Sequence, residues 1–154
     1  MHLVTDMIYA HYNQKTTFNE FYPYIYTSYF AKVKKLDESG YCPISIAAKS
    51  PDWFIGPSLK QLAPSWSILS EYKETGDVDR YSQRFHEEIL SKLDPEQVSK
   101  DIWKIAHEST PLLFPKIPVL LCYESPEKFC HRHLVAEWLT NSGIKVKEFG
   151  FDEL

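Results

Sequence analysis

Several things are missing from this sequence, and each absence removes a class of function. No stretch approaches the roughly 18 apolar residues of a membrane-spanning helix, so no membrane partner is expected. The N-terminal MHLVTDMIYAHYNQ has no basic segment leading into an apolar one, so a secretory leader is not expected. No repeat or low-complexity tract interrupts the chain. An excess of basic charge is absent too: 17 Lys and Arg stand against 21 Asp and Glu, for a formal charge of -4. This removes a global electrostatic case for wrapping nucleic acid and leaves only a local basic patch. The three cysteines, Cys42, Cys122 and Cys130, cannot all pair with one another. Without a leader they are expected reduced, in a cytoplasmic protein, and available for burial, metal binding or catalysis.

What is present suits one globular domain over residues 1–154, with 1–20 as an N-terminal extension. The 154 residues are 44% hydrophobic and 25% charged, enough to bury a proper core. Aromatics reach 15%, many of them Tyr, which fits a tyrosine-rich shell or an amphipathic cleft.

The stretch FYPYIYTSYFAKVKKLDESG predicts a strand at about 24–27, then a helix from about 28 or 29 that Gly40 closes. PISIAAKS predicts a second strand, covered on both faces because it is nearly continuous in small and apolar residues. Residues 49–68 break all periodicity, with Pro51, Gly56, Pro57 and Pro64 set among Trp53, Phe54 and Trp66. A loop of this length in a small domain is usually functional, and its aromatics argue against disorder. Two helices follow. Tyr81, Phe85 and Ile89 form a four-residue stripe in the first. Asp94, Pro95 and Gln97 make a start signal for the second, whose buried face is Val98, Ile102, Ile105 and Ala106. IPVLLCYE predicts a third strand, and CHRHLVAEWLTNSG a helix stopped by Gly143, with Leu134, Val135, Trp138 and Leu139 inward. IKVKEFGF alternates as a final strand, with exposed lysines suited to an edge.

The order β-α-β-loop-α-α-β-α-β predicts an α/β fold: a single three-layer domain with a mainly parallel sheet, Rossmann-like. Sites in open sheets of this kind form outside the carboxyl ends of the strands. Those ends carry Ser28 and Tyr29, then Lys49, then Cys122 and Glu124, and independent strand ends converge in space.

The densest chemistry is CYESPEKFCHR. Cys130 at a helix start would face free backbone N–H groups, beside His131 and Arg132, the surroundings a thiolate nucleophile needs; the plain alternative is a small hydrophobe under the loop. Cys122, inside a strand, is expected to pack as a small apolar residue before it acts as a nucleophile. A phosphatase-type loop would need Arg six positions after the Cys, and Lys128 stands there. A zinc set of Cys122, Cys130, His131 and His133 lacks the usual paired spacing, and adjacent helical residues diverge, so no metal and no cofactor is expected. Glu124 could act as a base, orient His131 or Arg132, or bridge the turn. Arg132 opposes its own helix dipole, which implies an anionic partner, either Glu124 or a substrate phosphate. In the long loop, Lys49, Trp53, Lys60 and Trp66 mix charge with stacking surface, as base-stacking proteins do and as self-anchoring loops also do.

With those motifs in view, the chain resembles the bacterial, archaeal and phage proteins catalogued as domain-of-unknown-function family 488. IYTSYFAKVKKL, ISIAAKSPDWFIGPSLKQLAPS, the region of Tyr81 and LLCYESPEKFCHRHLVAEWL carry the resemblance, from about 24 to 149. It implies that Cys122, Glu124, Cys130, His131 and Arg132 are signature positions and that Lys49, Pro51, Gly56, Pro57 and 62–65 belong to the loop pattern. A basic residue common in relatives before the lysine is absent from AAKSPDW. The resemblance implies a site and no particular reaction.

The leading expectation is an enzyme acting on a phosphate-bearing nucleotide or nucleic acid. Cys122, Glu124, Cys130 and His131 would be catalytic, with Arg132, Lys49, Trp53, Ser28 and Tyr29 binding substrate. The alternatives are a non-catalytic nucleotide or nucleic-acid binding module, and a structural knot tying the last strand to the last helix.

Overall fold

The computed structural model describes residues 24–109 and 116–150. The expected N-terminal extension, 1–20, lies outside them. The described chain forms a four-stranded sheet of β1 (Ile25–Tyr29), β2 (Tyr41–Ser45), β3 (Ile117–Cys122) and β4 (Val146–Glu148), in the order β2-β3-β1-β4. Every pairing is parallel, with Tyr29 opposite Cys122, Ser45 opposite Leu121 and Thr27 opposite Glu148. All four carboxyl ends therefore share one rim of the sheet.

The central strand shows why both faces are covered. In IPVLLC every residue after Ile117 is buried, and side chains alternate across the pleat. Leu120 packs with Ile25, Ile44, Ile46, Phe85, Ile102, Val135 and Leu139 in the larger core, while Val119 and Leu121 pack with Phe30, Leu36, Ala47 and Phe149 in the smaller. Helix α1 (Val33–Glu38) supplies Leu36 to the smaller core. Helices α2 (Trp66–Thr75), α3 (Val78–Glu88), α4 (Pro95–Glu108) and α5 (His131–Asn141) supply the larger. The expected three-layer α/β architecture is present.

Local signals explain most of the elements. Asp77 and Asp94 accept from backbone N–H groups at the starts of α3 and α4, satisfying donors the helix leaves free. Gln97, part of the expected start signal, donates to Asp101 one turn on. Gly40 and Gly143 follow α1 and α5 with φ of 86° and 85°, which a side chain would oppose. Strand β1 runs on to Tyr29, and α1 is shorter than expected, opening as a tight turn over Phe30–Lys32. Helix α2 was not expected. Ser65 caps it and Ile68 is its single fully buried residue, so the apolar stripe that marks a helix is too thin to see. The long loop thus ends at Trp66, and before that it runs back along β2: Ser45 N–H donates to Pro57 C=O and Leu59 N–H to Ser45 C=O.

Leaving β1 the chain turns to the α1 face, and leaving β3 it turns to the α5 face. Adjacent strands whose exits diverge open a crevice between them, where ligands of open α/β sheets bind. Leu120, fully buried in the central strand, tests the core: Leu120→Ala is expected to cost about 2–5 kcal/mol in denaturant unfolding with an unchanged m-value.

Candidate functional site

The crevice is occupied from within by Arg132. The side chain is fully buried on the first turn of α5, the end of a helix that disfavours cations. Its partner is the carboxylate of Glu148 on β4, met by two parallel bonds, Nε to Oε1 at 3.0 Å and Nη2 to Oε2 at 2.9 Å. Thr27 on β1 donates to the same Oε1 at 2.6 Å. The remaining arm, Nη1, donates to the Glu124 carbonyl at 2.6 Å and to Cys122 Sγ at 3.2 Å. The guanidinium lies 5.8 Å from the Tyr29 ring centroid. One side chain therefore ties α5 to β1, β3 and β4. The anion that the sequence implied is internal, and it is neither the Glu124 side chain nor a ligand. Glu148 is not among the site residues expected from the sequence; its alternation with the exposed Lys145 and Lys147, which puts it on the side of Val146, is the signal by which it could have been found.

Beside this knot opens a cavity of about 1230 Å³. Its walls come from the end of β2 (Ala47, Ala48, Lys49), the long loop and start of α2 (Lys60, Pro64, Trp66), the rings of Tyr72, Tyr81 and Phe129, and the β3–α5 junction from Cys122 to His131. The rings pack edge to face, Tyr81 against Phe129 at 5.0 Å and Tyr72 against Tyr81 at 5.2 Å. Burial pushes the Tyr81 phenol up, so it stays protonated, a neutral hydroxyl on the wall. Three lysines and Glu124 stand at the mouth. Lys60 Nζ donates to the Ala48 carbonyl at 2.6 Å and to Ala47 at 3.3 Å, while Lys49 and Lys128 are exposed. Trp66 is 79% exposed. Tyr123 crosses the entrance, its hydroxyl donating to the Lys49 carbonyl.

The cysteines overturn the expectation of free thiols: Cys122 and Cys130 are joined as a disulfide, and Cys42 alone is free, buried on β2. The turn after β3 brings the start of α5 back against the strand end, where Arg132 holds the same junction. Cys130 is the cap residue, with extended backbone (φ −153°, ψ 146°) rather than helical. Its side chain therefore need not diverge from that of His131, as two adjacent helical residues would. Cys122, Cys130 and His131 bring their ligating atoms within 4.8 Å of one another. The geometric objection to a metal set thus fails, although joined sulfurs do not ligate.

His131 is buried, and its Nε2 lies 2.7 Å from the Ile46 carbonyl. A carbonyl only accepts, so Nε2 carries the proton and Nδ1 is the basic nitrogen. Burial, with Arg132 adding repulsion, lowers its pKa to about 4 against the favourable Ile46 contact. Burial likewise lowers that of the half-buried His133.

The expected residues thus divide. Cys122, Glu124, Cys130, His131 and Lys49 line the cavity. Arg132 and Tyr29, expected to bind substrate, are not among the residues that line it; Arg132 meets the wall through Cys122 Sγ and the Glu124 carbonyl, and Tyr29 lies against the guanidinium. Ser28 is buried on the α1 side of β1, among residues that alternate away from the cavity, and its hydroxyl meets no partner. Trp53 packs at 6.3 Å from Phe30 on that same side and lines a separate cleft with Ile55. The expectation that Ser28 and Trp53 meet the same ligand as the cysteines is therefore corrected: the pleat sends Ser28 to the far face, and the loop carries Trp53 there. Lys60, Trp66, Tyr72, Lys128 and Phe129 take their places. Of these, Lys60 and Trp66 were legible as part of the charged aromatic loop.

Two outcomes follow from this geometry. Arg132→Met, which leaves Glu148 with only the Thr27 hydroxyl and takes the guanidinium from the Glu124 carbonyl, is expected to cost about 3 kcal/mol or more, and Arg132→Met/Glu148→Gln less than the sum of its single variants, measured as a double-mutant cycle. The lowered pKa of His131 makes the folded state take up its proton later than the unfolded chain. Its contribution, on the order of 3 kcal/mol, is complete above about pH 6.5 and lost as pH falls toward about 4. His131→Asn should flatten that part of the melting-temperature profile, His133 supplying the residual slope.

No helix among the described residues is long and apolar enough to cross a membrane. Neither a curated protein nor a solved structure matches the chain. Residues 45–143, more than half of the chain, match the family described as the active DUF488-N3 subclade. That span begins at the end of β2, takes in the whole cavity wall and the bridged cysteines, and stops at the glycine closing α5; the chain belongs to the DUF488 family.

Proposed function

We propose that the protein is a cytoplasmic enzyme acting on a phosphate-bearing nucleotide or nucleic-acid substrate, with Cys130, in its reduced form, as the nucleophile. The observation that carries this reading is the convergence of the two sulfurs and the His131 ring within 4.8 Å on the wall of a cavity that also presents lysines and an exposed Trp66. Positive charge beside a free aromatic face is the combination that holds a phosphate and stacks a base. In the reduced protein, Nδ1 of His131 takes the Cys130 proton and returns it to the displaced group. The thiolate forms a bond to an electrophilic centre of the substrate, and the departing group leaves with its electron pair. Glu124 at the mouth is placed to orient a donor of the substrate. Lys49 and Lys128 meet the phosphate. Arg132 is a positioning residue, holding Cys122 and the start of α5.

The match to the active DUF488-N3 subclade supports catalysis over a binding module. A reducing cytoplasm would supply the thiols. The binding module is the second reading, favoured by the bridged state of the cysteines, in which no thiolate is free.

Binding of nucleoside monophosphates and of a short 5′-phosphorylated single strand, followed by fluorescence anisotropy, tests the ligand class. Trp66→Ala is expected to weaken binding about tenfold or more, the loss of one base stack. Lys49→Ala should reduce the slope of log K against log salt by about 0.7. A wild-type protein that binds neither probe in either redox form sinks the proposal. Ligand binding without turnover by the reduced protein, and unchanged in Cys130→Ser, selects the binding module.

A further inference from the structure

We infer that Cys122 and Cys130 form a redox-active pair that exchanges with a small dithiol entering the cavity, Cys130 being the attacked sulfur and Cys122 the leaving thiolate. The inference deepens the proposed function, resting on it only for what the reduced pair does next.

The placement of the bridge argues for it. A structural staple belongs where opening it would loosen the fold, and this one joins the end of β3 to the cap of α5, eight positions apart. Closing so short a loop removes less chain entropy than closing a long one. The same junction is already held by Arg132 through Glu148 and the Glu124 carbonyl, so the bridge can open without releasing α5. Both cysteines line the cavity. Cys122 is 1% exposed and Cys130 8%, which leaves Cys130 the more open to attack.

The two sulfurs are also electrostatically unlike. Cys122 Sγ accepts from the permanently charged Arg132 at 3.2 Å, and a guanidinium at that distance stabilises a thiolate and makes it a better leaving group. Cys130 sits at the cap of the eleven-residue helix α5 with no side-chain bond to its N–H groups, so a thiolate formed there meets the positive end of the helix. His131, uncharged beside the pair, offers Nδ1 to a proton.

The exchange balances as follows. One thiolate of the dithiol bonds to Cys130 Sγ, and the electron pair of the broken S–S bond passes to Cys122 Sγ beneath Arg132. The second thiol of the reductant, its proton passing to His131 Nδ1 or solvent, attacks its own mixed-disulfide sulfur and expels Cys130 as a thiolate. The dithiol leaves as a cyclic disulfide, oxidised by two electrons. Its two protons go to the protein thiols or to water.

The full chain is incubated in graded reduced and oxidised dithiothreitol, quenched in acid and alkylated, and the labelled cysteines are located by mass spectrometry. Cys122 and Cys130 are expected to gain label together while circular dichroism shows an unchanged fold. Cys42, whose thiol burial pushes up, stays unlabelled until the protein is denatured. In glutathione disulfide, the reduced Cys122→Ser variant should trap glutathione on Cys130, and Cys130→Ser should trap it on Cys122 about tenfold more slowly or not at all. Both variants keep the Arg132 bonds to Glu148 and the Glu124 carbonyl, and a serine hydroxyl at position 122 can accept where the sulfur did, so they are expected to fold. A pair that reduces only on unfolding overturns the inference, as does glutathione found preferentially on Cys122. So does reduced protein that takes up one equivalent of Zn²⁺ protecting both sulfurs from alkylation, which would make the cluster a metal site. Nucleotide binding is read separately on the oxidised and reduced chains: exchange without binding defeats the proposed function alone, and binding without exchange defeats this inference alone.

Discussion

The buried guanidinium of Arg132 is the constraint on which the rest of this structure depends. A full charge removed from water is costly unless every donor is matched, and one matched only in part is worse than an apolar residue. Here the matching is distributed: Glu148 from β4, assisted by Thr27 of β1, the Glu124 carbonyl and Cys122 sulfur at the end of β3, and the Tyr29 ring at the end of β1. No two of these groups could satisfy Arg132 alone, so the register of the strands and the start of α5 are specified together.

That specification reaches the cavity. With Arg132 filling the crevice between β1 and β3, the point where open sheets ordinarily receive a ligand is closed by the protein's own side chain. The accessible space is displaced toward β2 and the long loop. The residues that line this space from the fixed frame include Cys122, Cys130, His131 and Tyr81. Exposed groups, Lys49, Lys128, Glu124 and Trp66, stand around the mouth. A buried wall with an exposed, charged rim is what a sheet and the loops at its carboxyl edge can present.

The long loop contributes through its backbone more than through its striking side chains. Its pairing with Ser45 extends the sheet rim and brings Lys60 to the Ala47 and Ala48 carbonyls. Trp53 and Ile55 go instead to the opposite face. Two of its aromatic residues, Trp53 and Trp66, are thus parted by a fold that composition alone could not foresee.

What the sequence determined by itself was whatever periodicity and local capping control. The apolar run of β3, the Tyr81–Phe85 stripe, the Asp94–Pro95 start of α4 and the glycines after α1 and α5 are each set within a few residues, and they suffice for an α/β fold with a parallel sheet. The junction bearing Cys122, Cys130 and His131 was legible too, because strand ends converge whatever their order. Tertiary structure decided the rest, since the deciding contacts are distant in the chain. Arg132 and Glu148 are 16 positions apart on different elements, His131 and Ile46 are 85 apart, and α2 holds its place with one fully buried residue. Whether two cysteines bridge depends on the return path of the turn, and whether an arginine meets substrate or its own protein depends on which carboxylate the last strand brings within reach. Neither is a property of spacing, because both are set by the packing of elements that only the folded chain places together.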